Sequence, residues 1–223
     1  MHIPDGFIDL PTSAAFAAAS AVAVAGAVKG ARRQLSEQSA PLAGLTAVFI
    51  FAVQMLNFPV AAGTSGHLIG AALAMVLVGP YAATLALVVV LIIQAFLFAD
   101  GGLTALGLSI FNMAVISVWV SFAVFILMKK IFPKTKSWLV IATFVSALIS
   151  VPAAAGGFVI QYAIGANATF SVGAVLNAMV GTHIIIGIGE AIITALTVSA
   201  VLASRSDLVF GWDRKNTTLE IRS

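Results

Sequence analysis

The chain has 223 residues, of which 61% are hydrophobic and 9% charged, whereas soluble globular chains carry about 25% charged residues; this excludes a water-soluble enzyme or binding domain and indicates an integral membrane protein. The formal net charge of +3 does not point to nucleic acid, because the basic residues sit in short clusters beside apolar runs, as membrane topology requires. Cysteine is absent, which removes disulfides, thiolate metal sites and Cys nucleophiles together.

In chain order, the apolar runs predict an all-α integral membrane fold of seven transmembrane helices, over residues 12–33, 40–57, 66–78, 80–98, 103–129, 136–165 and 171–204. A crossing takes about 20 apolar residues, fewer where the helix ends in a protein-lined cavity. The first run has the small residues of a signal peptide. However, Asp5 and Asp9 precede it while Lys29, Arg32 and Arg33 follow it, so it is expected to be an uncleaved helix with its N-terminus outside and Met1 retained. Its alanine-rich face is a packing surface for another helix, of this chain or of a partner. The third run is short, and Gly79-Pro80 ends it and opens the fourth. Pro152 and the nearby AAAGG stretch predict a kink or break in the sixth. The whole chain, 1–223, reads as one transmembrane domain, with a separate N-terminal segment over 1–11 and a cytoplasmic tail over 205–223.

Seven spans with the N-terminus outside put the C-terminus in the cytoplasm. Lys29, Arg32 and Arg33, then Lys129, Lys130, Lys134 and Lys136, then Arg205, Arg214, Lys215 and Arg222 all fall inside. The outer segments hold Asp5, Asp9 and Asp100 without Lys or Arg. This is the positive-inside distribution, and an even span count would break it.

On this topology Met1, His2, Asn57 and His67 share the outer face. A free amino terminus followed by histidine is a chelator: the Met1 amine and His2 amide nitrogen close a five-membered ring on a metal, and the amide and the His2 Nδ1 close a six-membered one. His67 supplies a fourth nitrogen. Planar all-nitrogen ligation suits Ni²⁺, Cu²⁺ or low-spin Co²⁺ better than tetrahedral Zn²⁺ or oxygen-seeking Mg²⁺. Both histidines also have an ordinary reading, as a chance second residue and as a helix cap or core residue, and spacing alone does not choose.

The residues that carry a resemblance are MHIPDGF at the N-terminus, GTSGH at 63–67, QAFLFADGGLTALG, and the later FNM and THIIIGIGE. Together they resemble the CbiM/NikM family, the substrate-binding membrane (S) components of energy-coupling-factor transporters for cobalt and nickel. The resemblance spans nearly the whole chain. It implies a metal site made by the Met1 amine, the His2 amide and imidazole, and the His67 imidazole, with an N-terminal segment inserted among the helices. It further implies an ABC-type importer for Co²⁺ or Ni²⁺ in the inner membrane of a prokaryote. The partners implied are a transmembrane T component, two ATPase subunits and a small accessory membrane subunit. The metal is the cargo, and no organic cofactor is implied.

The Pro4 and Asp5-Gly6 turn signal lets the terminus fold back over the outer mouth, although Asp5 serves equally as a cap. Gln54, Asn57, Gln94, Asn112, Asn177 and His183 are polar residues in the outer half of the bundle. Asn57 is the candidate for orienting a ligand imidazole, and the others are expected to bond between helices. His183 and Glu190 lie two turns apart on one face of the last helix, with Glu190 expected to be a structural carboxyl. Gly187 and Gly189 admit a close helix neighbour and form no phosphate loop, since no GK[ST] follows. The absence of a nucleotide motif and of HExxH argues against an ATPase or metallohydrolase. The competing function is a stand-alone proton-coupled metal transporter or channel that uses His183 and Glu190.

Overall fold

The computed structural model describes residues 1–34, 40–60, 64–133 and 135–212. Lys134, Arg214, Lys215, Arg222 and the tail beyond 212 lie outside the described residues. Among the described residues, seven helices longer than one turn follow one another: α1 Leu10–Gln34, α2 Ala40–Gln54, α3 Ala71–Val78, α4 Pro80–Leu97, α5 Leu106–Ile131, α6 Lys136–Gly165 and α7 Val172–Ser204. Five of them, α1 and α4 to α7, are long and apolar enough to cross a membrane.

The interior is mainly apolar, but the exterior carries large apolar side chains too, and several polar side chains are buried. Leu45, Phe96, Leu127, Ile185 and Leu196 face outward, while Gln54, Gln94, Asn112, Gln161, His183 and Glu190 are buried. That apolar exterior is what a lipid solvent selects, and the chain is a multi-pass membrane protein. Asn177, expected inside the bundle, is exposed on α7.

Local signals set most helix boundaries. Asp9 caps α1 by accepting from the Thr12 amide at 2.8 Å; Thr135 caps α6 and Ser171 caps α7 in the same way. Gly79, at φ 81°, ends α3 and leads into Pro80 at the start of α4, as the Gly-Pro pair predicts. Helix α6 runs unbroken through Pro152 rather than breaking there. A side chain at Gly187 of α7 would begin 3.3 Å from the Leu148 carbonyl that Pro152 leaves without its helical donor. The glycine therefore brings α7 against the flaw. Small residues of α1 also pack within the chain. A Cβ on Gly107 would collide with Ala17, and Ser20 donates to the Gly107 carbonyl at 2.7 Å. Ala14, Ala15, Ala18 and Ala25 stay exposed.

The third predicted span differs most from expectation. Instead of a helix over 66–78, residues Phe58–Val60 (β1) and Thr64–Gly66 (β2) pair as an antiparallel hairpin. Residues 67–70 are then non-helical, and α3 starts only at Ala71. At eight residues, α3 is about 12 Å long. It sits at the centre of the bundle, buried along nearly its whole length and ringed by α2, α4, α5, α6 and α7. Irregular backbone at such depth is tolerated only where protein supplies its hydrogen bonds, and this segment carries His67.

Candidate metal centre

The first nine residues are threaded into one end of the bundle. Pro4 and Phe7 close a turn through the Phe7 amide, with Gly6 at φ 75°. The Asp5 carboxylate accepts from the Leu103 and Thr104 amides and from the Thr104 hydroxyl, so it caps the loop before α5. The Gly102 amide donates to the Ile3 carbonyl at 2.8 Å. Ile8 bridges Ala166, and the Asp9 amide donates to the Gly165 carbonyl. Met1 and Ile3 are wholly buried, and His2 nearly so.

This threading brings the N-terminal nitrogens to one point. The Met1 amine donates to the Ser65 hydroxyl at 3.3 Å, and the His2 amide donates to the same oxygen at 3.4 Å. The His2 and His67 rings face each other with centroids 4.8 Å apart and planes 29° apart. The His67 Nδ1 lies 2.8 Å from the Leu68 carbonyl. Because a carbonyl only accepts, that nitrogen carries the proton, and Nε2 keeps a lone pair with no hydrogen-bond partner. Asp100 Oδ2 stands 3.6 Å from the His2 Nε2, a charge–dipole contact too long for a hydrogen bond, which favours the tautomer that leaves Nδ1 bare.

The loop that positions Asp100 is strained to do so. Ala99 has φ 51°, in the left-handed region, and Gly101 has φ 94°. A side chain on Gly101 would begin 3.1 Å from the His2 Nδ1, so only glycine lets this loop lie against the imidazole. Asn57 donates to Asp100 Oδ2 at 3.1 Å. It therefore touches the carboxylate that faces His2, rather than an imidazole. A cleft lined by His2, Asn57, Ser65, Asp100 and Gly101 adjoins the cluster.

Burial favours the neutral forms of the Met1 amine and the two imidazoles. It pushes the Met1 amine from 8.0 down to about 4, against the opposing pull of Asp100. Burial, then the neighbouring amine, takes His2 from 6.5 to about 3. The same causes hold His67 well below the ordinary imidazole range. Asp100 is raised by burial, with the amine and Asn57 acting against that rise. The consequence is a group of nitrogen lone pairs that do not bind protons at neutral pH.

The backbone around His67 finds its partners on distant helices. The Glu190 carboxylate accepts from the Ile69 amide at 2.6 Å and from the Gly70 amide at 3.0 Å. Gln54 Nε2 donates to the Ile69 carbonyl at 2.8 Å. Gln54 was expected to bond between helices but instead serves this irregular segment, whereas Asn112 and Gln161 do bond across α5 and α6, at 2.7 Å. His183 donates from Nδ1 to the Met179 carbonyl in its own helix.

The structure thus gathers Met1, His2 and His67, the residues chosen from sequence, and places Asn57 one contact further out. Sequence reading missed Ser65, Asp100 and Gly101. Their signal was positional: Ser65 two residues before His67, and Asp100 inside ADGG between two apolar runs. No group of three or more His, Cys, Asp or Glu side chains suited to a metal occurs among the described residues. A cation held here would need the backbone nitrogens.

Residues 2–208 match the family model described as the cobalt uptake substrate-specific transmembrane region. A Haloquadratum walsbyi protein named for metal transport is 38% identical over 212 residues, covering 94% of each chain. A fused nickel transport protein named in Archaeoglobus fulgidus is 39% identical over 209 residues, covering 94% of this chain and 68% of that one. A solved crystal structure, of a transition metal transporter, superposes with a TM-score of 0.84 at 30% identity, over 91% of this chain and 93% of the other. With a family match over almost the whole length and relatives this similar, the chain belongs to the CbiM family, described as the cobalt uptake substrate-specific transmembrane region.

Proposed function

We propose that this chain is the S component of an energy-coupling-factor importer, and that it captures Co²⁺ or Ni²⁺ with four nitrogens: the Met1 amine, the His2 amide and Nδ1, and the His67 Nε2. The observation that carries this reading is the convergence of the Met1 and His2 backbone nitrogens on one Ser65 oxygen beside two stacked imidazoles. Asp100 facing the far side of the His2 ring is the outer partner that metal-binding imidazoles usually have.

All seven helices are assigned to the membrane, with α2 and α3 as partial crossings and the site on the outer face. In support, Lys29, Arg32, Lys129, Lys136 and Arg205 lie at helix ends opposite the N-terminal segment, the positive-inside pattern of a prokaryotic inner membrane. The chain has no nucleotide motif of its own, so the inward hand-off depends on a T component, two ATPase subunits and a small accessory membrane subunit. The direct test is calorimetry and elemental analysis on protein with a native terminus, against Ni²⁺, Co²⁺ and Cu²⁺. One ion per chain is expected, and absence of tight binding would refute the reading. Uptake into ATP-free liposomes by the chain alone would instead favour a stand-alone transporter.

Two further outcomes follow. Asp100→Asn removes the charge behind His2 and should weaken Ni²⁺ binding about 10- to 100-fold, the usual loss when the outer partner of a metal-bound imidazole is removed; titration calorimetry checks it. The second concerns pH. With the amine at about 4 and His2 at about 3, only the amide proton has to leave when the ion binds near neutrality. Affinity should therefore rise about tenfold per pH unit between roughly pH 6 and 8. A flat profile would indicate ordinary imidazole ligation, and a slope near two an amine protonated before binding. Between about 4 and 8.0 the unfolded chain holds a proton on the amine that the folded chain lacks. Stability of the metal-free protein should then increase as pH rises through that window, measured as a higher melting temperature at pH 8 than at pH 5.

A further inference from the structure

His67 belongs to no helix or strand, so its position is set by whatever holds residues 67–70. The Ile69 peptide is gripped from both sides inside the bundle. Its N–H, with that of Gly70, points at the two Glu190 oxygens, and its carbonyl receives Gln54. Gln54 and Glu190 are both buried, on α2 and α7 respectively. Gly70 has φ +77°, and a side chain there would begin 2.9 Å from Ile50 Cγ1, so glycine allows this turn to lie directly on α2. An acidic side chain at this depth, with no Lys or Arg in ion-pair range among the described residues, would be costly without a task. Its task in the fold is to receive two amides that no helix or sheet satisfies.

We propose that Glu190, assisted by Gln54, is a positioning residue for metal binding: it fixes the Ile69–Gly70 turn so that the His67 Nε2 faces His2. The proposal rests on the reading of His67 as a ligand. The lever arm is short, since Ile69 is two residues, about 7 Å of chain, from His67. Metal–nitrogen bonds tolerate only about 0.2 Å of misplacement, so a modest turn of one peptide is enough to take the imidazole out of reach. Glu190→Gln keeps the size of the side chain but presents an NH₂ to one of the two amide donors, which turns an acceptor into a clash of donors. Glu190→Asp keeps two acceptors on a shorter stem.

The test is a double-mutant cycle read by Ni²⁺ calorimetry, with melting of each metal-free variant to confirm folding. Glu190→Gln alone should weaken binding about 10- to 100-fold, the range for residues that orient a ligand, and Glu190→Asp should recover part of it. In a His67→Ala background, Glu190→Gln should change Kd by less than about twofold, because it acts only through that imidazole. An equal loss in both backgrounds, or an unchanged Kd for Glu190→Gln beside a weakened His67→Ala, overturns the positioning role. If His67→Ala itself binds like wild type, the ligand assignment fails and the positioning role with it. Should Glu190→Gln fail to fold, Gln54→Ala takes its place in the same cycle: a loss confined to the His67 background supports the proposal, and a loss in both backgrounds overturns it.

Discussion

Adding a single residue ahead of Met1 is expected to reduce Ni²⁺ affinity by at least about 10³-fold while leaving the helical bundle folded. The extension converts the terminal amine into a secondary amide, so the proposed five-membered chelate ring would lose its end ligand. At about 3 kcal/mol for each of four ligands, roughly a quarter of the 10–16 kcal/mol typical of a four-ligand site, the amine alone accounts for about two decades in Kd. The steric consequence adds to this. Met1 is wholly buried and its nitrogen lies 3.3 Å from the Ser65 hydroxyl, so an extra residue has to push the first residues out of the bundle and carries the His2 amide and imidazole with it. The bundle is expected to stay folded without those two residues in place. The central helix α3 is packed by five other helices, and Asp5 and Asp9 fasten the segment further along. Calorimetry on matched proteins with and without the extension, together with melting curves, decides the matter. Equal affinity would remove the amine from the ligand set.

How far this site could be read from sequence depends on which interactions are local. The long helices were legible because a membrane span is a matter of composition; seven spans were expected, and five of the described helices are long and apolar enough to cross. The Gly79-Pro80 break and the Pro4-to-Phe7 turn were legible because each depends on residues within a few positions. The pairing of His2 with His67 was legible from chelate chemistry and resemblance, not from periodicity. The start of α3 was not legible. GHLIGAALAMVLV has no residue that forbids a helix from its first position, and what holds 67–70 out of the helix is a carboxylate 121 residues from Ile69. For the same reason Glu190 read only as a structural carboxyl: its partners are backbone amides, which leave no trace in side-chain spacing. Asp100 counted as one more outer charge until the strained Ala99–Gly101 loop turned it toward His2.

His67→Ala and His183→Ala form the second decisive comparison, because by local criteria the two histidines are alike. Each is buried, each donates from Nδ1 to a backbone carbonyl, and each leaves Nε2 without a hydrogen-bond partner. If an unpartnered buried nitrogen were sufficient, the two substitutions would have similar effects. What separates them is the second imidazole: His67 faces His2 at 4.8 Å beside the Ser65 hydroxyl that gathers the backbone nitrogens, whereas His183 bonds within its own helix. On the proposed four-nitrogen site, removing His67 takes away one of four ligands and should weaken Ni²⁺ binding about 10²-fold or more, near 3 kcal/mol. Removing His183 should change Kd by less than about fivefold, although trimming a buried ring leaves a cavity and lowers the melting temperature of the metal-free protein. The two effects are therefore expected to cross, with His67→Ala larger in affinity and His183→Ala larger in stability relative to its effect on binding. Equal losses of affinity would place the ion between α7 and the terminal segment, with His183 as a ligand, and would require the fourth nitrogen to be reassigned.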